Sequence, residues 1–493
     1  MKSWGIDAGI DAGIKAWLAL ALVWCAGAIA TGQTAEASAE PEVTTERMAE
    51  RRGTLFDAYA EAGRFLGAAA VMVEGEVLLD RAWGMADESW GIPAATDTRF
   101  STASLGKHFT AAVVMTLVQE GLLDLDDPVG VHIADLREDV GAAVKVHHLL
   151  SHCSGMAREV FTDVEDIAQA HSSRELLAAI NEHPLEFEPG ERTAYSNAGY
   201  TLLAILVERV TGRPYAEALR ERVLDPAGMR NTGVLRDGVI IERLARGYDP
   251  LLGEWIPGEH REHSNSMGSG GMYTTTGDLL RYDRALKDGL VLSGASQSLM
   301  ATPKGPTRRF GFGWSLLPAN DGYMMHHNGD YSGITTMFLR FPEQGIAIAL
   351  LSNRTNAARG ALFSEIIGIL NGGVPGDPRP DAVQALCARV IELGPEVVAE
   401  RVEAEGARLP NAIRLIHVGN ALSRAGRDED AYRVFRFASI AKPGAVWGHL
   451  AVGKWYEVRG ETDEAIAMYR RALEADANSP HARSYLEALG VEG

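Results

Sequence analysis

Apolar and polar positions follow two different rhythms along this chain, and the change of rhythm divides it. From about Arg52 to Gly373, short apolar runs of strand length are interleaved with longer helical ones. Ala68 to Val73 and Glu76 to Arg81 flank Glu74-Gly75, the signal of a β-hairpin. Phe109 to Gln119 is an apolar helical stretch that stops near Gly121. Tyr200 to Val210 is another, closed by Gly212 and Pro214. Thr275 and Asp278 form a capping box ahead of Leu279-Leu280. Met337 to Phe341 and Ile346 to Leu351 read as late strands joined by a Gly-containing turn. Strands at both ends with helices between them predict an α+β unit whose sheet is closed by both ends of the segment.

Asn371 to Pro380 is rich in Gly and Pro and reads as a linker. Beyond it the pattern is wholly helical and repeats. Gly419, Gly426, Ala431, Phe435 and Ala438 recur 34 residues later as Gly453, Gly460, Ala465, Tyr469 and Ala472. That period, with small residues at helix contacts and an aromatic partner, is the tetratricopeptide signature. Asp381 to Leu409 supplies a degenerate first unit. The expected boundaries are residues 45–373 for the α+β unit, 374–410 for the linker and degenerate unit, and 411–490 for the repeats. On this division, any activity of the first unit should be left largely intact by truncation after Gly373. Concave repeat surfaces suit peptides or helices, so a protein partner is expected there.

At the N-terminus, Lys2 and Lys15 precede an apolar run from Ala16 to Ala30, followed by small residues. Residues 1–37 therefore read as an export signal, or as an uncleaved anchor that would be the chain's one contact with a membrane. A periplasmic or secreted location is expected. Formal net charge is -19, with 66 Asp plus Glu against 47 Lys plus Arg, which disfavours nucleic-acid binding. A hydrophobic fraction of 46% and a charged fraction of 23% exclude disordered and polytopic membrane classes. Three cysteines exclude a disulfide scaffold, and Cys153 and Cys387 are expected to be free. No His, Asp and Glu cluster has metal-ligand spacing, so neither metal nor cofactor is expected.

The candidate chemistry begins at Phe100-Ser-Thr-Ala-Ser-Leu-Gly-Lys-His-Phe109. Ser104 and Lys107 are three apart at the start of an apolar helix, so they share a face. A serine hydroxyl needs a neighbouring base, and a Lys amine serves if burial or positive charge lowers its pKa. Arg cannot deprotonate in this way. The chain holds 8 Lys against 39 Arg, which makes a Lys at this position informative. Tyr195-Ser196-Asn197 follows the turn Glu188-Pro189-Gly190. Its phenol shuttles a proton if positive charge lowers its pKa, and its amide can hydrogen-bond a substrate carbonyl. His327-Asn328-Gly329 leads toward a strand, where a Gly admits a substrate backbone. His417-Val418-Gly419 has the same form, but its Gly lies on the repeat and reads as helix packing.

Residues Arg52 to about Gly373 resemble the serine beta-lactamase-like superfamily, which includes class C beta-lactamases, D-alanyl-D-alanine carboxypeptidases, D-aminopeptidases and family VIII esterases. The resemblance rests on Ser104-x-x-Lys107, Tyr195-x-Asn197 and His327-x-Gly329, in that order. Gly121 to Pro128, Leu149 to Met156 and Gly270 to Thr274 support it. It implies an antiparallel sheet flanked by helices, plus an all-helical lobe. It also implies roles: Ser104 as acyl-forming nucleophile, Lys107 as its base, Tyr195 as proton relay and Asn197 as substrate holder. The backbone N–H groups of Ser104 and Asp330 would form the oxyanion hole, where losing one donor costs roughly 3–4 kcal/mol of barrier. Two departures stand out. His327 replaces the lysine of the family's Lys-Thr-Gly, which argues against efficient beta-lactam hydrolysis and toward esters, amides or D-amino-acid peptides. Cys153 replaces a usual Thr, and His148 and His152 in the same phrase read as structural. The expected function is a serine hydrolase; the alternative is a cell-wall-peptide or beta-lactam sensor that acylates without turnover.

Overall fold

The fold was read from a computed structural model that describes residues 45–491, except 162–166, 320–321, 356, 372, 408 and 478. The expected export signal at residues 1–37 lies outside the described residues. Six strands form the main sheet. They are β1 (Gly67–Val73), β2 (Glu76–Trp83), β3 (Ser315–Ala319), β4 (Gly322–Tyr331), β5 (Ile334–Phe341) and β6 (Ile346–Ser352). The order is β3-β4-β5-β6-β1-β2, antiparallel throughout. The two ends of the α+β unit meet in the β1–β6 pair, with Ala68 opposite Leu351 and Val73 opposite Ile346.

Both faces of this sheet are covered, which explains why β1 and β6 read as continuous apolar runs. Side chains alternate across a strand. Ala68, Ala70 and Met72 face one core and Ala69 and Val71 the other. The second core is closed by α1 (Thr45–Glu61) and α5 (Arg359–Leu370), through Phe56, Leu362 and Ile366. The first is closed by α2 (Lys107–Gln119), α3 (Asn197–Thr211) and α4 (Thr276–Lys287). Every residue of α2 from Lys107 to Leu117 is buried, so this helix is enclosed on all sides rather than on one face.

Two sequence expectations are altered locally. Thr275 caps α4 by accepting from the Asp278 N–H at 3.2 Å, but the reciprocal half of the capping box is missing. The Asp278 carboxylate instead accepts from the Asn231 N–H and Thr232 hydroxyl and pairs with Arg281, stronger donors in a buried setting. The helix expected from Tyr200 begins at Asn197, because Ser196 caps it by accepting from the Gly199 N–H at 2.8 Å. The Tyr195-x-Asn197 motif is thus a helix N-terminus. The helix ends as expected, with Gly212 left-handed at φ 66°.

The C-terminal region holds α6 (Ala382–Leu393), α7 (Pro395–Ala404), α8 (Ala412–Arg424), α9 (Asp428–Ala441), α10 (Val446–Val458), α11 (Thr462–Ala475) and α12 (Pro480–Ala488). The 34-residue recurrence is one contact made twice. A Cβ on Gly419 would lie 2.2 Å from the Phe435 ring, and one on Gly453 would lie 2.4 Å from the Tyr469 ring. This region is not a free appendage. Leu251, on the hairpin Tyr248–Leu251/Glu254–Pro257, shares its core with Val383, Cys387 and Val434. Gln384 grips the same hairpin, accepting from the Leu252 N–H at 2.9 Å and donating to the Pro250 carbonyl at 3.1 Å. Cys153 and Cys387 are both free and buried.

Candidate active site

From Phe100 to Leu117 every residue is buried except Ser104. The cause is a tight start to the helix. Ala103 adopts φ 47°, a left-handed conformation that costs a non-glycine of order 1–3 kcal/mol and persists only where the surroundings impose it. The surroundings do so here. The Thr102 N–H and hydroxyl bond the Met272 carbonyl at 2.8 and 3.1 Å, and Gly270 lies directly behind Ala103, where a Cβ would come within 2.7 Å of its carbonyl carbon. On the other side, the Thr336 hydroxyl of β5 donates to the Thr102 carbonyl at 2.7 Å.

Lys107 is fully buried beneath Ser104. Its Nζ lies 3.3 Å from Ser104 Oγ, 2.6 Å from Asn197 Oδ1 and 2.5 Å from the Ser269 carbonyl. Burial, opposed by Glu159 and assisted by Arg158, brings its pKa down to about 7. Of its three neighbours, the two oxygens at Asn197 and Ser269 can only accept. A neutral amine therefore spends its two N–H bonds on them and turns its lone pair to the one neighbour with a proton to give, the Ser104 hydroxyl. This is the arrangement of a general base on a nucleophile.

Tyr195 lies near enough to Ser104 for the serine hydroxyl to act on its phenol, with its ring centroid 4.9 Å from Lys107 Nζ and 5.3 Å from the Arg158 guanidinium. The expected lowering of its pKa does not occur. Burial dominates and pushes the phenol up, so Tyr195 stays protonated and acts as a donor. Its ring stacks on His152 at 4.3 Å, and His152 Nδ1 accepts from the Ser196 N–H at 3.2 Å. That contact fits the structural reading of His152; His148 likewise accepts the Lys145 N–H, at 3.2 Å.

Asn197 is engaged on both sides. Its Nδ2 donates to Glu159 Oε1 and Oε2 at 2.8 and 3.0 Å, while its Oδ1 accepts from Lys107. Sequence reasoning missed Glu159, whose position beside Arg158 reads as an ordinary solvated loop pair. Only the fold shows that the Arg158 carbonyl accepts the Asn197 N–H at 2.7 Å and that Ser196 Oγ donates to the Ala157 carbonyl at 2.7 Å, fixing this loop on the N-terminus of α3.

β4 brings the third motif. The His327 ring centroid is 6.3 Å from that of Tyr195. His327 Nδ1 donates to the Asn328 carbonyl at 2.7 Å, which leaves Nε2 as the acceptor, and burial beside Lys107 lowers its pKa to about 3. His327 is therefore neutral at physiological pH. The space at Gly329 is taken by the chain itself: a Cβ there would lie 2.1 Å from the Thr102 carbonyl oxygen. The close approach seen at Gly329 is between β4 and the serine loop. That contact holds β4 against the serine loop, and the Asp330 carboxylate pairs with Arg359 of α5. β3 begins at Ser315 opposite His326, so among the described residues β4 has no strand partner on that edge from His327 onward. Among the described residues, no group of three or more His, Cys, Asp or Glu is placed to hold a metal.

An antiparallel sheet flanked by helices, with a serine–lysine pair at the start of α2, defines a serine hydrolase architecture found in known proteins. The family described as Beta-lactamase matches residues 53–365. Penicillin-binding protein 4* of Bacillus subtilis is 30% identical over 322 residues, covering 61% of this chain and 71% of that protein. Esterase EstB of Burkholderia gladioli is 31% identical over 319 residues, covering 55% and 80%. The structure of D-amino acid amidase from Ochrobactrum anthropi, complexed with L-phenylalanine amide, superposes with a TM-score of 0.57 at 25% identity, covering 67% of this chain and 99% of the amidase. This chain belongs to the beta-lactamase family of serine hydrolases.

Proposed function

We propose that the chain hydrolyses esters or amides, D-amino-acid peptides among them, through an acyl-enzyme on Ser104. The observation that carries this reading is the buried Lys107 amine, 3.3 Å from Ser104 Oγ with a pKa near neutrality. Lys107 takes the hydroxyl proton as Ser104 attacks the acyl carbon. The tetrahedral oxyanion is held by the backbone N–H groups of Ser104 and Asp330. Tyr195, a protonated phenol beside Ser104, hands its proton to the leaving group and recovers one through Lys107. The open edge of β4 after His326 suits an extended acyl chain. Efficient beta-lactam hydrolysis is disfavoured because neutral His327 offers a substrate carboxylate no charge. Arg158, an exposed cation near the site, is offset by Glu159 at 3.6 Å.

In the same proposal the C-terminal helices are tetratricopeptide repeats that receive a protein partner, and the chain works in the bacterial envelope, periplasmic or secreted. The recurring Gly–aromatic contacts support the first point, and the apolar run at Ala16–Ala30 supports the second. Fractionation of the native host decides the location. A fluorophosphonate probe should label the protein, and Ser104→Ala should abolish labelling; folded wild-type protein that stays unlabelled would refute the hydrolase. Turnover of p-nitrophenyl butyrate, a D-alanine p-nitroanilide and a chromogenic cephalosporin, compared directly, ranks the substrate classes. One equivalent of product without further turnover would mark a sensor instead.

A further inference from the structure

The strand that carries His327, Gly329 and Asp330 ends at Tyr331 and turns through Ser332 and Gly333 into β5. Asp249 makes three bonds at that turn, beside the Gly333 N–H bond to Thr355 Oγ1 at 2.6 Å and the Glu259 N–H bond to Ser332 Oγ at 2.6 Å. Asp249 accepts from the Ser332 hydroxyl at 2.6 Å, from the Gly333 N–H at 2.9 Å and from the Thr355 hydroxyl. Gly333 also presses on Gly247, where a Cβ on Gly333 would come within 2.7 Å of the Gly247 Cα. The turn and the segment 247–249 therefore move together or not at all.

Asp249 is 6% exposed, so its carboxylate is largely cut off from water. Beyond these neutral donors it has a cationic partner, and removing one member of a buried ion pair leaves the other charge uncompensated. Among the described residues its ion-pair partner is Arg424, whose Nη2 donates to Asp249 Oδ2. Arg424 is the last residue of α8, in the C-terminal helical region, and lies beyond residue 365, where the match to the family ends. α8 lies along this corner of the hydrolase. His417, two turns before Arg424 and on the same helix face, interacts electrostatically with both Asp249 and Asp330.

We infer that Arg424 is a positioning residue for the hydrolase site, supplied by the helical region: it neutralises Asp249, and Asp249 fixes the end of the strand that bears the oxyanion-binding backbone. The inference rests on the hydrolase reading above. It makes the helical region part of the working enzyme and gives a ligand that displaces α8 a direct route to the site. It also replaces the expectation that hydrolysis is indifferent to truncation after Gly373.

The test uses the full-length chain with Arg424→Met, Arg424→Lys and the double change Arg424→Met with Asp249→Asn. Three quantities are measured: the rate of fluorophosphonate labelling, kcat and KM on p-nitrophenyl butyrate, and hydrogen exchange over residues 328–335. Displacing an oxyanion donor by a fraction of an ångström acts on the transition state, so Arg424→Met should slow labelling and kcat roughly tenfold with KM little changed. Exchange at the turn should rise. Arg424→Lys should keep most of the rate, and the double variant should recover part of it, because asparagine needs no cation. Folded Arg424→Met with unchanged labelling, or with slowed labelling but unchanged exchange at the turn, overturns the inference. If wild-type protein never labels, it is the hydrolase reading that falls, and exchange alone then decides whether Arg424 holds the strand.

Discussion

Lys107 is where the sequence and the chemistry meet most directly. A lysine in a chain with 8 of them, set three residues after a serine, suggested a base; burial, and two accepting oxygens at Asn197 and Ser269 that leave its lone pair to the Ser104 hydroxyl, are the conditions that role requires. The sign of the pH dependence follows. The base works only when deprotonated, so acylation should rise with pH through about 7, where Lys107 titrates. An acylation rate that is flat between pH 5 and 9 would remove Lys107 from the mechanism, since each unit below the pKa costs about tenfold in the active form. Its two charged neighbours pull in opposite directions. Glu159 raises the Lys107 pKa and Arg158 lowers it. Glu159→Gln should therefore move the acid limb to lower pH, and Arg158→Ala should move it to higher pH. Glu159→Gln should also reduce the rate on the plateau, because the Asn197 amide loses the carboxylate that orients it.

At the scale of elements, the site is made where three of them are forced into contact: the start of α2, the start of α3 and the end of β4. Small residues set how closely they approach. Gly329→Ala would drive a methyl to within 2.1 Å of the Thr102 carbonyl and push β4 off the serine loop. Labelling of Ser104 should fall by about a hundredfold or more, as when a catalytic group is misplaced by an ångström. A Gly329→Ala protein labelled at the wild-type rate would show that β4 does not set the oxyanion geometry. The same logic governs the C-terminal helices. Gly453→Val would collide with the Tyr469 ring and should destabilise the protein by about 1–3 kcal/mol, read as a lower Tm, with hydrolysis retained below the transition. The strands and the apolar helices were legible in sequence, because burial on both faces writes continuous apolar runs. Their ends were less so: α3 starts three residues before the expected Tyr200, since a capping serine decides it and apolar periodicity does not.

For the whole molecule, the Gly/Pro-rich segment at residues 371–380 marks a change of composition, but it is not a line across which contacts cease. Leu251 is buried among residues of α6 to α9, and Arg64 pairs with Asp381 at 3.0 Å across the same boundary. A chain ending at Gly373 exposes that apolar surface and leaves Asp249 without its cation. It should unfold at lower temperature and lose up to about 3 kcal/mol of stability, near the low end for breaking a buried ion pair. Thermal melts of the truncated and full chains, at equal pH and salt, check this; equal midpoints would mean that the helical region contributes nothing to the hydrolase.

The sequence by itself determined the serine–lysine pair, the tyrosine–asparagine and histidine–glycine motifs, the hairpin at Glu74-Gly75 and the 34-residue recurrence. All of these are local, because spacing and residue type suffice to write them. Tertiary structure alone decided that Tyr195 stays a protonated phenol, that Glu159 grips Asn197, that Gly329 makes room for the Thr102 carbonyl, and that an arginine 175 residues away neutralises Asp249. Each depends on burial or on contacts between segments distant in sequence, and neither degree of dehydration nor long-range proximity is encoded in the order of neighbouring residues.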